Sequence, residues 1–181
     1  DNLFVAGFIG SPAMNMVEAT LERSNGSIVA KLGSQSIALG DETHAARPAL
    51  RSYEGKRVIL GIRPEDLDDA ALETDTPTDQ RLEGDVELRE ALGSEIMVHF
   101  RTDATRAVTD ETRELQKDVG APDTPAAADA EGATLVGRFG ARSGVREGQP
   151  VEVAIDTRAL HFFDPETGLG IYDSTTKGPG S

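Results

Sequence analysis

The chain has 181 residues and no cysteine, so it is large enough for one domain with a real core, or two small ones, and offers no disulfide, thiolate nucleophile or thiolate metal site. Eighteen Lys and Arg against 32 Asp and Glu give a formal charge of −14, which argues against general nucleic-acid binding and against charge-held attachment to anionic lipid. No apolar run approaches the roughly 20 residues of a membrane span, and no basic-then-apolar leader is visible, so the expectation is a soluble, acidic, intracellular domain.

Taken in chain order, the first element is a short helix over 2–9 with Asn2 as its cap. Leu3, Phe4, Val5, Phe8 and Ile9 leave it almost no polar side, so it needs something to pack against. Residue 1 is not Met, and the expectation is a start inside a longer protein. Pro12 ends the helix and turns the chain into a strand over 14–21. Here Val17, Ala19 and Leu21 alternate with Met16, Glu18 and Thr20. Asn25-Gly26 accepts the positive φ angles of a tight hairpin and leads into Ile28, Ala30 and Leu32. Val58, Leu60 and Ile62 form the next apolar face, stopped by Pro64.

The charge is then concentrated. Glu65 to Asp79 holds seven acids and no base, and 103–132 has a net charge of −5, so the two stretches carry −12 of the −14. The first reads as a solvated, disordered surface after a strand end. Strands follow at Leu82, Gly84, Val86 and Leu88, and at Ile96, Val98 and Phe100. The second acidic stretch is an insertion after this strand, with a short helix over 109–119 and a flexible Pro- and Ala-rich end. Leu135–Phe139, Val151–Ile155 and Leu160–Phe163 complete about eight strands, which suits a small antiparallel barrel or a pair of sheets. Residues 174–181 read as a tail.

Catalytic templates fail one after another. Gly55-Lys56-Arg57 lacks both the earlier glycine, which is Leu50, and the hydroxyl of a P-loop, and Gly168-Leu-Gly170 is followed by Asp173 where a dinucleotide fingerprint needs glycine. His44, His99 and His161 are far apart, and each reads as an ordinary surface or cross-strand histidine. The acids after Pro64 lack the turn glycine of a calcium loop. Asn25-Gly26-Ser27 fits a glycosylation acceptor, but the hairpin explains it better. No serine-hydrolase elbow exists, and the phenylalanines lie in apolar segments rather than on a basic groove, so neither a hydrolase nor a single-strand binder is indicated.

Three segments carry a resemblance. Phe4-Val-Ala-Gly-Phe-Ile-Gly-Ser-Pro-Ala-Met-Asn15 closely resembles the stretch after the nucleotide-binding domain in ATPase subunits of ABC-class carbohydrate importers. Gly61-Ile-Arg-Pro-Glu65 and Glu90-Ala-Leu-Gly-Ser-Glu95 are similar to a strand-ending motif and a hairpin of the regulatory domain in the same subunits, in the expected order. The resemblance covers about residues 2–173 and implies a mainly β regulatory domain of the transport-associated kind, built on oligonucleotide-binding (OB) barrel folds.

It further implies a helical tether over 1–14, a regulatory domain over 15–173, and no catalysis, cofactor or metal within this stretch, with ATP and magnesium bound by the nucleotide domain of the parent. Partners implied are that nucleotide domain, a second copy through the regulatory domain, membrane permease subunits, and in some members a cytosolic regulator. Nucleic acid is not among them. The place is the cytoplasm, at the inner face of the membrane through the transporter complex. Candidate interface residues are Leu3, Phe4, Phe8, Ile9, Pro12, Met14, Asn15, Arg63, Glu65, Gly93 and Glu95. The apolar 3–9 helix fits either a tether against the nucleotide domain or a plug closing one end of the barrel. The acidic insertion departs from shorter members. The alternative function is an oxyanion-binding module, disfavoured by the charge and by the lack of a clustered Lys, Arg and Ser/Thr nest in the sequence.

Overall fold

The computed structural model describes residues 14–24, 26–107, 132–167 and 170–171. The 2–9 helix with Leu3, Phe4, Phe8, Ile9 and Pro12, the 109–119 helix and the tail lie outside the described residues.

Among the described residues, ten strands form two five-stranded antiparallel sheets. The first contains β1 (Asn15–Ser24), β2 (Ser27–Leu32), β3 (Gln35–Ala38), β4 (Arg57–Ile62) and β10 (His161–Phe163), in the order β10-β4-β1-β2-β3. The second contains β5 (Leu67–Asp69), β6 (Arg81–Ala91), β7 (Glu95–Thr102), β8 (Ala133–Gly140) and β9 (Pro150–Ile155), in the order β5-β9-β6-β7-β8. One helix, α1 (Asp41–Ala46), and a 3-10 segment, Pro48–Tyr53, connect β3 to β4. The fold is a mainly β, nearly closed antiparallel barrel of the OB type.

The period-two pattern becomes burial directly. Val17, Ala19 and Leu21 of β1 share the interior with Val58, Leu60 and Ile62 of β4, all at most 2% exposed. The same cluster continues through Val98, Phe100, Phe139 and Val153 of the second sheet, so the two sheets enclose one core. The tight turns at 26 and 93 close the β1–β2 and β6–β7 hairpins with φ +83° at both glycines, a region that side-chain-bearing residues rarely adopt.

Three expectations change. The acidic stretch after Pro64 is not a disordered surface. It forms a 3-10 turn (Pro64–Asp66) and β5, with Leu67 1% and Asp69 6% exposed. Asp69 is tolerated inside because its carboxylate accepts from Ser143 Oγ at 2.6 Å and from the Ala71 N–H at 2.9 Å. Secondly, Leu88 does not continue the inward row of Leu82 and Val86. A bulge between Val86 and Leu88 adds a residue to β6, which places Leu88 opposite His99 and exposes it. Thirdly, the start of the supposed insertion belongs to the barrel. Glu18 N–H donates to Thr105 O at 2.8 Å and Ala107 N–H to Met16 O at 3.0 Å, and Ala104 and Ala107 are buried.

The sheets are stitched by side-chain amides. Asn15 Nδ2 donates to Ile62 O and Val136 O, both at 2.9 Å, and Asn15 Oδ1 accepts from Val136 N–H at 2.8 Å. The side chain thereby pairs with both backbone groups of an edge residue on β8, as a neighbouring strand would. Gln35 repeats the device on β3, donating to Glu83 O at 2.8 Å and accepting from Glu83 N–H at 2.6 Å.

Candidate functional site

The described interface candidates fall into three places. Met14 is 9% exposed in a small cluster with Ile59, Ala107 and Phe163, separate from the main core. Asn15 is 8% exposed and spends its amide on the two sheets. Gly93 and Glu95 lie at the β6–β7 hairpin, where Glu95 faces Arg138 at 3.3 Å. Arg63 and Glu65 flank the buried Pro64 at the exit of β4, and both are exposed.

That exit carries a dense set of charges. It opens on a cleft of about 640 Å³ between α1, the Pro64–Asp66 turn and the end of β9, lined on the acidic side by Glu42, Glu65, Asp66, Asp75 and Asp156. Arg158 is its basic member, 3.1 Å from Asp156 and 3.7 Å from Glu42. Burial foremost, then Glu65 and Asp156, holds the Asp66 carboxyl above its ordinary value, and Arg63 works against them. Among the described residues no group of three or more His, Asp or Glu side chains is arranged to hold a metal ion.

Beside the cleft, strand pairing brings together residues that are far apart in the chain. His161 lies opposite Gly61, two residues before Arg63. The Arg47 guanidinium lies 5.7 Å from the ring centroid of Phe162, which follows His161. Burial first, then Arg63 and Arg47, pushes the His161 imidazole below 6.5. The sequence shows no clustered basic nest, because Arg47, Arg63 and His161 meet only when β10 returns to pair with β4. Nearby, Tyr53 Oη donates to Asp164 at 2.7 Å. That bond is the main cause of a phenol pKa of about 12 and of an Asp164 carboxyl below its usual range, and it locks the 3-10 segment to the end of β10.

Among the described residues this end presents an acidic cleft beside the Arg47, Arg63 and His161 group. The sequence matches the MalK OB fold domain over residues 10–67 and a TOBE domain over residues 60–130. The chain therefore carries a MalK-type OB fold and a TOBE domain. It is 36% identical over 172 residues to the trehalose/maltose import ATP-binding protein MalK of Thermococcus litoralis, covering 94% of this chain and 38% of that protein. It is 35% identical over 181 residues to the trehalose import ATP-binding protein SugC of Mycobacterium tuberculosis, covering 94% and 41%. With the oligosaccharides import ATP-binding protein MsmX of Bacillus subtilis the identity is 31% over 173 residues, covering 94% and 38%. The chain thus spans about two fifths of the length of these relatives. The MalK-type match ends at Leu67 and the TOBE match begins at Leu60, so the two overlap at the end of β4 and the Arg63–Glu65 exit.

Proposed function

We propose that this MalK-type OB and TOBE chain is the non-catalytic regulatory and dimerisation portion of the ATP-binding subunit of an ABC importer for a sugar or related carbohydrate. The observation that carries the reading is identity of 31–36% along 94% of the chain to three import ATP-binding proteins. ATP and magnesium would bind in the nucleotide domain of the full-length subunit, and membrane permease subunits would hold it at the inner face of the membrane. Met14 and Asn15 begin the barrel, which supports residues 1–14 as the connection to that nucleotide domain. A second copy is the expected partner of the barrel surface.

Cargo is not a property of this portion. A relative 34% identical over 167 residues is an sn-glycerol-3-phosphate import ATP-binding protein of Cereibacter sphaeroides, alongside those for trehalose, maltose and oligosaccharides. Sequencing upstream of Asp1 tests the reading, with a P-loop and an ABC signature about two hundred residues earlier as the expected result. The isolated 181-residue chain should show no ATP turnover above a contaminant control; turnover above that control, or the absence of an upstream P-loop and ABC signature, would refute the assignment. Light scattering across concentration tests the dimer. Calorimetry with molybdate, sulfate and phosphate tests the alternative, since saturable micromolar binding would replace regulation by oxyanion capture.

A further inference from the structure

In this acidic chain five sheet arginines face carboxylates, Arg23 with Glu54, Arg57 with Glu18, Arg81 with Glu152, Arg101 with Glu87 and Arg138 with Glu95, and at the cleft Arg158 faces Asp156 and Glu42, whereas Arg89 on β6 has no such pair. Arg47 and Arg63 have no ion pair with a described carboxylate, although each lies close enough to His161 to shift its titration. The geometry explains the proximity. Gly61 and His161 occupy one row of the β4–β10 ladder, and Arg63 follows on the same face one extended repeat, about 7 Å, further on. The next position in that row, on β1, is Met16. No acid in the row shields the imidazole. Arg47 reaches the group from the end of α1, braced over the Phe162 ring. On its far side Arg63 borders Glu65 and Asp66, where the acidic cleft begins.

We propose that Arg47, Arg63 and His161 form a docking point for a carboxylate-bearing segment of a protein partner. This rests on the reading of the chain as a regulatory, non-catalytic domain. The chemistry favours a carboxylate because two planar guanidinium forks can each grip it in bidentate fashion. Bracing of Arg47 on the ring reduces the entropy lost when the pair closes. The imidazole becomes a third donor once the incoming negative charge offsets the two arginines. Glu65 and Asp66 limit the partner to one or two acids at this point, because a longer acidic run would meet the cleft. The exposure of Arg63 leaves a free small anion in competition with water, whereas a peptide adds contacts along the adjoining strand surface.

The probe is a short end-capped peptide with two adjacent glutamates in a neutral sequence, titrated into the full chain while the ring resonances of His44, His99 and His161 are followed by NMR. Saturable movement confined to His161, with a rise in its apparent pKa, is the expected result. R47A/R63A should weaken binding by about tenfold or more, and R47K/R63K by less, because charge remains while the forks are lost. Unchanged His99 resonances and an unchanged melting midpoint would show the variants folded. Should the double variant fail to fold, R63A alone, at an exposed position, supplies the comparison. No saturable effect at His161, equal affinity for R63A, or phosphate binding as tightly as the peptide would each overturn the proposal. Peptide binding by a chain that has no upstream P-loop would retain the docking point while removing the importer reading.

Discussion

Asn15 on β1 and Gln35 on β3 do the same thing in very different surroundings. Each presents one amide to the N–H and C=O of a single residue on the other sheet, Val136 for Asn15 and Glu83 for Gln35. Asn15 is 8% exposed and also holds Ile62 O, whereas the Gln35 bonds are exposed to solvent. Water can replace the partner at Gln35 and cannot readily do so at Asn15. Equal hydrogen-bond geometry therefore has unequal energetic consequences, because the cost of an unmade bond depends on what fills the gap.

The largest expected effect follows from breaking the buried member. N15A leaves Ile62 O, which is buried, and the part-buried Val136 N–H and C=O without this partner and should cost about 2–4 kcal/mol in urea unfolding. N15D should be at least as costly, because a carboxylate placed against two carbonyl oxygens loses the donor and gains repulsion. Next comes the other buried junction, where S143A removes the 2.6 Å donor to Asp69 and should cost about 1–3 kcal/mol by the same measurement. Q35A should cost about 0.5–1 kcal/mol or less, since Glu83 turns to water. A Q35A penalty equal to that of N15A would refute the burial argument.

The smallest effect concerns the cleft and has the opposite sign. Asp66 titrates above 3.8 in the folded state, so the preference for the fold is greatest below 3.8 and is lost as pH rises through the folded value. D66N should thus be slightly more stable at neutral pH, by about a few tenths of a kcal/mol after solvent screening, with the difference fading below pH 3.8. His161 runs the other way. Its lowered value means that the stability it lends is full above 6.5 and is lost as pH falls through the folded value. R63A should move the His161 titration upward, toward 6.5, as read by NMR.

Much of the strand pattern was legible because alternation and turn chemistry are local. Val17, Ala19 and Leu21, the Gly26 and Gly93 turns and the Ile96–Phe100 strand all report on neighbours a few residues away. β3 and β5 escaped notice, being four and three residues long and, in β5, written with two aspartates. Asp69 reads as solvent-facing until Ser143, 74 positions later, is brought against it. Leu88 obeys the alternation up to a bulge that only pairing with β7 creates. The candidate site was half visible: Arg63 and Glu65 stood in a motif, while Arg47 and His161 carried no sign of belonging with them.

The sequence alone determined an acidic, mainly β chain without cysteine chemistry or a catalytic motif, with its hairpins placed by glycine and its resemblance written in contiguous segments. Those properties depend on composition and on residues within one turn or strand of each other. The tertiary structure decided the rest: which buried acid is satisfied, which amides join the sheets, and where positive charge gathers on a negative molecule. Asn15 is 121 positions from Val136, and His161 is 98 from Arg63. Contacts at that separation follow from strand order and register, which no local pattern specifies.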